Sequence, residues 1–184
     1  HDPLRRQRQM CIRDRILRAN GYYCANNFKC DYQFNAPFTA WDEVSSTVSF
    51  RDAPKDKPFF YVWNTLLTHE SRIWERSNKP LTVNPIDVEI PSYFPDIPEV
   101  RNDIARKYSN IEAMDEKVGE IISQLEEDGL LENTIIMFWS DHGGNLLRQK
   151  RAVGNSGLNV PLIIRYPNKI DAGTVDDRIV SLMD

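Results

Sequence analysis

The sequence has no apolar run approaching the roughly 20 residues that a helix needs to cross a bilayer, so no membrane span is expected in it. Cysteine is scarce: Cys11, Cys24 and Cys30 are the only three, and they form no C-x-x-C or zinc-type spacing. Cys24 and Cys30 could pair, but an odd total gives no disulfide framework, and small buried or free thiols are the simpler expectation. Charge of one sign is also lacking. A formal net charge of -4 gives no reason to expect nucleic acid or an anionic membrane as partner. There is no internal repeat and no low-complexity linker. The first residues are charged rather than apolar, unlike a secretory leader, although a chain that does not begin with Met says nothing about what precedes it.

What is present is ordinary soluble composition, 41% hydrophobic and 27% charged, in 184 residues, enough for one modest domain with a real core. Residues 1–15, HDPLRRQRQMCIRDR, carry five arginines and almost nothing that could enter that core. They read either as a basic solvated arm or as non-native sequence. The second reading is preferred, because MCIRDR-like strings resemble translated sequencing adapter. The domain is therefore expected over 16–184, and both ends read as cut.

Three apolar runs predict buried strands: Pro58 to Asn64, Thr134 to Trp139 and Val160 to Arg165. Their hydrophobicity is continuous rather than alternating, which fits strands covered on both faces in a parallel α/β sheet. Pro161 suggests a strand start or an edge position. Between the first two runs, Ile104, Tyr108, Ile111, Asp115, Val118, Ile121, Ile122 and Leu125 recur at helical spacing with one acidic interruption, and Met114 widens the stripe. Asp96, Glu99 and Asp103 mark the start of this helix and Gly129 its stop. Strand, helix and strand predict a right-handed crossover unit. Ahead of the helix, a proline-rich connection from Thr65 to about Val100 is long enough to be functional or to wrap the surface.

Ligands of open α/β sheets bind beyond the carboxyl ends of the strands. Thr68, His69 and Glu70 follow the first run, and Ser140, Asp141, His142, Gly143 and Gly144 follow the second. Asp141 and His142 can offer oxygen and nitrogen to one cation, with glycines leaving room for a substrate. A hard ion such as Ca²⁺ or Mg²⁺ would favour the Asp oxygen. An Asp–His pair by itself equally fits a strand-end aspartate capping a turn. Arg148, Gln149, Lys150 and Arg151 read as a solvated basic turn, or as an oxyanion site in which lysine acts as a compact charge. His69 is either a satisfied loop histidine or a general acid for a leaving group.

Five ordered blocks, GYYCANNFKCDYQF, KPFFYVWNTLLTHESRIW, KYSNIEAMDEKVGEII, LLENTIIMFWSDHGG and KRAVGNSGLNVPLIIRYP, resemble the sulfatases, and most of all the bacterial heparan N-sulfatase-like branch of the alkaline phosphatase superfamily. The resemblance covers about residues 16–184. It implies an α/β fold with a mostly parallel sheet flanked by helices, here incomplete. It also implies hydrolysis of sulfate esters or sulfamates on a sulfated small molecule or polysaccharide, with Ca²⁺ as cofactor and Mg²⁺ as the alternative. Residue by residue, Asp141 matches the metal-binding aspartate and His142 stands where relatives have Asn or His beside the metal. His69 matches the histidine that contacts the sulfate and protonates the leaving group. Lys150 matches the lysine that holds a sulfate oxygen, with Arg148 or Arg151 as substitutes. The family works mostly outside the cytoplasm, which makes a periplasmic or secreted location the expectation.

The departures are as informative. Sulfatases attack with a formylglycine hydrate made from the Cys or Ser of a C/S-x-P-x-R motif. No cysteine here fits, since Cys11-Ile12-Arg13-Asp14-Arg15 lacks the proline. The family's paired N-terminal aspartates are missing, and Leu147 stands where close relatives are expected to have proline. The chain is thus expected to hold about half a site and to be inactive alone. Two other readings remain: a phosphoryl-transfer member of the same superfamily, and a non-catalytic degenerate sulfatase that holds sulfated glycans.

Overall fold

The computed structural model describes residues 13–29 and 38–181. The chain divides into two compact units, His1–Thr65 and Leu66–Asp184. Cys11, Cys30 and most of the basic N-terminal stretch lie outside the described residues.

In the first unit, residues 13–19 are helical (α1). The helix ends where Gly21 takes φ +88, with Tyr22 N–H donating to Leu17 O and Gly21 N–H to Arg18 O. That paired arrangement satisfies carbonyls at a helix end and needs a residue without a Cβ penalty in the left-handed region. The chain then enters β1 (Tyr23–Asn27), which lies between β2 (Glu43–Ser45) and β3 (Phe59–Val62), both pairings parallel. The middle strand is the buried one, and its core is small: Cys24, Ala40 and Trp41, with Leu17, Phe60 and Val62 packed on it. Trp41 and Phe60 stack at 5.9 Å, a pair type worth about 1 kcal/mol beyond its burial. Cys24 is a buried free thiol pushed up to about 11, mainly by burial. The parallel three-stranded sheet bears out the α/β expectation.

The second unit is organised by one long helix, α3 (Pro98–Glu127). Proline at its first position has the right φ and no N–H to leave unsatisfied. Gly129 stops it as expected, at φ +67, with Leu130 N–H bonded back to Leu125 O. Of the anticipated stripe, Ile104 and Leu125 are buried, Ile111, Met114, Val118, Ile121 and Ile122 half-buried, and Tyr108 exposed. The tightest part of the buried face is polar. Arg106 donates to the Lys79 and Pro80 carbonyls, Ser109 Oγ accepts from Thr82 N–H at 3.1 Å, and Asn110 Oδ1 accepts from Arg76 Nε at 2.8 Å. These side chains supply the hydrogen bonds that the proline-rich connection, unable to form regular structure, cannot make within itself. The connection therefore wraps α3, and Val88 closes a cluster with Ile104 and Ala105 against which Leu146 packs.

A short helix, α2 (Arg72–Glu75), precedes the connection. After α3 come β4 (Ile136–Trp139), a one-turn helix α4 (Asn155–Leu158) and β5 (Leu162–Arg165). β4 and β5 pair antiparallel, Trp139 opposite Leu162 and Ile136 opposite Arg165. The expected crossover unit is therefore not formed among the described residues: β3 pairs with β1, and β4 with β5. Continuous hydrophobicity marks a strand but carries no strand direction, and the loop between Trp139 and Leu162 folds back so that β5 returns beside β4. Met137, Trp139 and Ile163 of this ribbon remain exposed.

Candidate functional site

The expected site residues converge on two loops of the second unit. The first follows β3 in sequence and turns into α2. His69 N–H donates to Leu66 O and its own carbonyl accepts from Arg72 N–H, so the histidine is fixed in the turn that starts the helix. Ser71 controls the ring. Its backbone N–H donates to Nδ1 at 3.3 Å, which leaves the proton of the neutral ring on Nε2. Its hydroxyl lies 3.1 Å from the same Nδ1, within hydrogen-bonding distance. In that tautomer Nε2 carries the ring's N–H.

The second loop runs from β4 to α4. Gly143 N–H donates to Gly157 O at 2.9 Å, where two backbones cross so closely that a Cβ on Gly143 would lie 1.9 Å from Ser156 O. Gly144 O accepts from Lys150 N–H at 2.9 Å, folding the basic turn back on the Asp-His-Gly-Gly segment. Gln149 fills that fold. Its Oε1 accepts from Leu146 N–H and from Lys107 Nζ of α3, whose ammonium burial drives below the usual amine range. Asn145 Nδ2 donates to Thr68 O at 3.2 Å and joins the two loops, while its buried Oδ1 has no hydrogen-bond partner among the described residues.

Across this junction Lys150 Nζ lies 3.5 Å from His69 Nε2. Two N–H donors of positive or partial positive charge facing one point make a place for an anionic oxygen. Glu70 offsets the cations. One oxygen, Oε1, accepts from Lys150 Nζ at 3.2 Å and from Arg151 Nη2 at 3.1 Å. The hydrogen bond from Lys150, followed by the nearby Arg151, Lys150 and His69 charges, holds the Glu70 carboxyl below its usual 4.5. Arg148 is directed elsewhere, its guanidinium 5.2 Å from the centre of the Tyr93 ring, so Lys150 is the cation placed beside His69.

Asp141 and His142 sit at the mouth of β4, Asp141 largely exposed. His142 Nδ1 lies 2.7 Å from Gly143 O and so donates its proton there, leaving the Nε2 lone pair 3.8 Å from Asp141 Oδ1. A ring nitrogen oriented by a backbone carbonyl, with its other nitrogen free beside a carboxylate, is the arrangement of a metal-ligating histidine. A lone pair facing a carboxylate oxygen is also repulsive unless a cation or proton lies between them. The pair could supply two ligands to a divalent ion, or form an ion pair if the ring is protonated. Among the described residues no group of three or more His, Cys, Asp or Glu side chains forms a complete cation site.

Sequence reasoning had singled out His69, Lys150, Asp141 and His142, and the structure brings the first two together and keeps the last two adjacent. It gave no role to Glu70, Ser71 or Gln149. The one available signal was the position of Glu70 and Ser71 directly beside His69.

Comparison with known proteins places these loops in context. A family profile described as Sulfatase matches residues 18–184. The chain is 42% identical over 203 aligned positions to an ulvan-active sulfatase of Formosa agariphila, a match covering 91% of this chain and 34% of the relative. It is 31% identical over 106 positions to the human N-sulphoglucosamine sulphohydrolase, covering 57% of the chain and 21% of the relative. It is 40% identical over 76 positions to an N-acetylglucosamine-6-O-sulfatase of Bacteroides thetaiotaomicron, covering 39% of the chain and 14% of the relative. The chain thus spans about a third or less of the length of these curated relatives.

Proposed function

The chain belongs to the sulfatase family, and on that premise we propose that the protein it represents hydrolyses sulfate esters or sulfamates of a sulfated glycan. Residues 16–184 supply part of the catalytic domain in this reading. The observation that carries it is the pair of donors, His69 Nε2 and Lys150 Nζ, 3.5 Å apart. Lys150 binds a sulfuryl oxygen. His69 donates its Nε2 proton to the oxygen or nitrogen that departs, which lowers the barrier most for a poor leaving group such as a sugar hydroxyl. Glu70 holds Lys150 in place and keeps the cluster from carrying uncompensated positive charge before substrate arrives. Asp141 and His142 would hold the divalent cation, Ca²⁺ or alternatively Mg²⁺. When bound, that ion supplies positive charge that offsets the charge growing on the sulfuryl oxygens. The nucleophile expected from the family is a formylglycine hydrate, and no C/S-x-P-x-R motif that would yield it is present in these 184 residues.

Names of relatives guide the choice of substrate. One is ulvan-active and two act on sulfated glucosamine by name, so ulvan and sulfated glucosamine oligosaccharides are the first substrates to test. The test is release of inorganic sulfate from them by the full-length gene product, measured by ion chromatography. Sulfate release supports the reading. Tight binding of the same glycans without any release, by a protein carrying an intact nucleophile motif, contradicts it and leaves a non-catalytic glycan-binding protein.

A further inference from the structure

The basic turn that carries Lys150 has a feature that sulfate binding at His69 does not use. Arg148 and Arg151 both have left-handed backbones, φ +63 and +67, in residues that pay for that conformation because they have a Cβ. The consequence is that three neighbouring cations point in different directions. Lys150 turns inward to His69 and Glu70. Arg148 remains exposed with its guanidinium over the Tyr93 ring, and Tyr93 is itself packed on Phe94 at 4.8 Å. Arg151 is 76% exposed, with Glu70 engaging one of its N–H groups.

A guanidinium held over a ring by the cation–π attraction and left exposed keeps N–H donors available to solvent, where they can bind a carboxylate or sulfate in two-point fashion. That contact also restricts side-chain freedom that would otherwise be lost on binding. Arg151, anchored at one N–H by Glu70, presents its remaining donors to solvent in the same way. Arg148 lies over Tyr93, and Arg151 meets Lys150 through the shared Glu70 Oε1, so a lone sulfate beside His69 and Lys150 leaves their outward donors unused. A small neutral-bodied sulfate ester would leave both unused. A polyanionic chain would not.

Building on the sulfatase reading, we propose that Arg148, held over the Tyr93 ring, and Arg151 form subsites flanking Lys150. Each would hold an anionic substituent, a sulfate ester or a uronate carboxylate, on sugars next to the one that reacts. The preferred substrate is then an anionic oligosaccharide rather than an isolated monosulfated sugar or aryl sulfate.

The experiment uses the full-length protein and its Arg148→Ala, Arg148→Lys, Tyr93→Ala and Arg151→Ala variants. Each is assayed on a sulfated, uronate-containing oligosaccharide, on its carboxyl-reduced counterpart and on 4-nitrophenyl sulfate. Binding of the oligosaccharide is measured in parallel by calorimetry. The expected result is a ratio of kcat/KM, oligosaccharide over nitrophenyl sulfate, that falls about tenfold in Arg148→Ala and Arg151→Ala, carried by KM, consistent with loss of one charged contact each. Arg148→Lys restores little, because an ammonium lacks the planar edge, and Tyr93→Ala reproduces part of the loss. A loss that disappears on the carboxyl-reduced substrate identifies uronate as the anion; one that persists identifies sulfate. An unchanged ratio in both alanine variants, with wild-type sulfate release intact, overturns the subsites and leaves the sulfatase reading standing. Should the wild type release no sulfate, oligosaccharide affinity that drops about tenfold in the variants still supports the subsites, and unchanged affinity overturns them.

Discussion

Lys150 Nζ and His69 Nε2 lie 3.5 Å apart although 81 residues separate them in the chain. The separation is bridged by two backbone-fixed loops, joined where Asn145 Nδ2 meets Thr68 O. A cation this close to the ring nitrogen gathers donors where an anionic oxygen can bind. Replacing Lys150 with alanine in the full-length protein is expected to lower kcat/KM for a sulfated glycan by about 10²-fold, the loss typical of one donor to a developing oxyanion. Lys150→Arg is expected to recover only part of it, since a guanidinium is planar and bulkier. Steady-state kinetics on the three proteins checks this. Equal activity in all three would remove Lys150 from the anion site.

Glu70 gives a prediction in pH. Its carboxyl is held below the usual 4.5, first by the hydrogen bond from Lys150. A depressed folded value means that the stabilisation is fully present above the unfolded value and is lost as pH falls through the folded one. Glu70→Gln is therefore expected to flatten the acid limb of stability below about pH 4.5 and to leave the neutral range little changed in shape. Thermal unfolding of both proteins from pH 3 to 7 tests it. Parallel curves through the acid range would show that the pairing contributes nothing.

The crossing of Gly143 and Gly157 is a steric prediction. A Cβ at Gly143 would lie 1.9 Å from Ser156 O and 2.8 Å from Gly157 Cα, both backbone atoms that cannot swing aside. Gly143→Ala is expected to cost about 1–3 kcal/mol of stability and to displace the Asp141–His142 corner, so that activity falls further than stability alone explains. By contrast a Cβ at Gly154 meets nothing within 4 Å, and Gly154→Ala should be tolerated. Denaturant unfolding of the two variants distinguishes them.

Removal of the cation is the fourth test. If Asp141 and His142 hold a divalent ion, chelation of the full-length protein should lower its unfolding temperature and abolish sulfate release, and added Ca²⁺ should restore both. Asp141→Asn keeps the shape but loses the charge, so it should need about tenfold more Ca²⁺ for the same recovery. Insensitivity of both proteins to chelator and to Ca²⁺ would reassign the pair to turn capping.

The parts of the fold legible in the sequence were those that long apolar patterns write plainly. The runs Pro58 to Asn64, Thr134 to Trp139 and Val160 to Arg165 contain β3, β4 and β5, and α3 ends just before Gly129. β1 was not legible, because Cys24, Ala25, Asn26 and Asn27 are small or polar and are buried by pairing on both edges rather than by apolar bulk. Nor were Arg106, Ser109 and Asn110, whose burial serves the hydrogen bonding of a neighbouring loop, which apolar periodicity does not register. The antiparallel partnership of β4 and β5 depends on how the glycine-rich loop returns, through close approaches at Gly143 and Gly157 that no hydrophobic pattern encodes. The site divides the same way. Residue types at strand ends point to His69, Asp141 and His142, and the resemblance points to Lys150 ahead of Arg148 and Arg151; the folded loops add the distance of Lys150 from His69 and the placement of Arg148 over Tyr93.

The central claim, that His69 protonates the group leaving sulfur, is tested most directly by the leaving group itself. Wild type and His69→Gln of the full-length protein are compared on sulfate esters ranging from nitrophenol, which departs readily, to a sugar hydroxyl, which does not. General-acid catalysis predicts a loss of about 10²–10⁴-fold on the sugar sulfate that shrinks to about tenfold or less on the nitrophenyl ester. A loss of the same size across the whole series would contradict it.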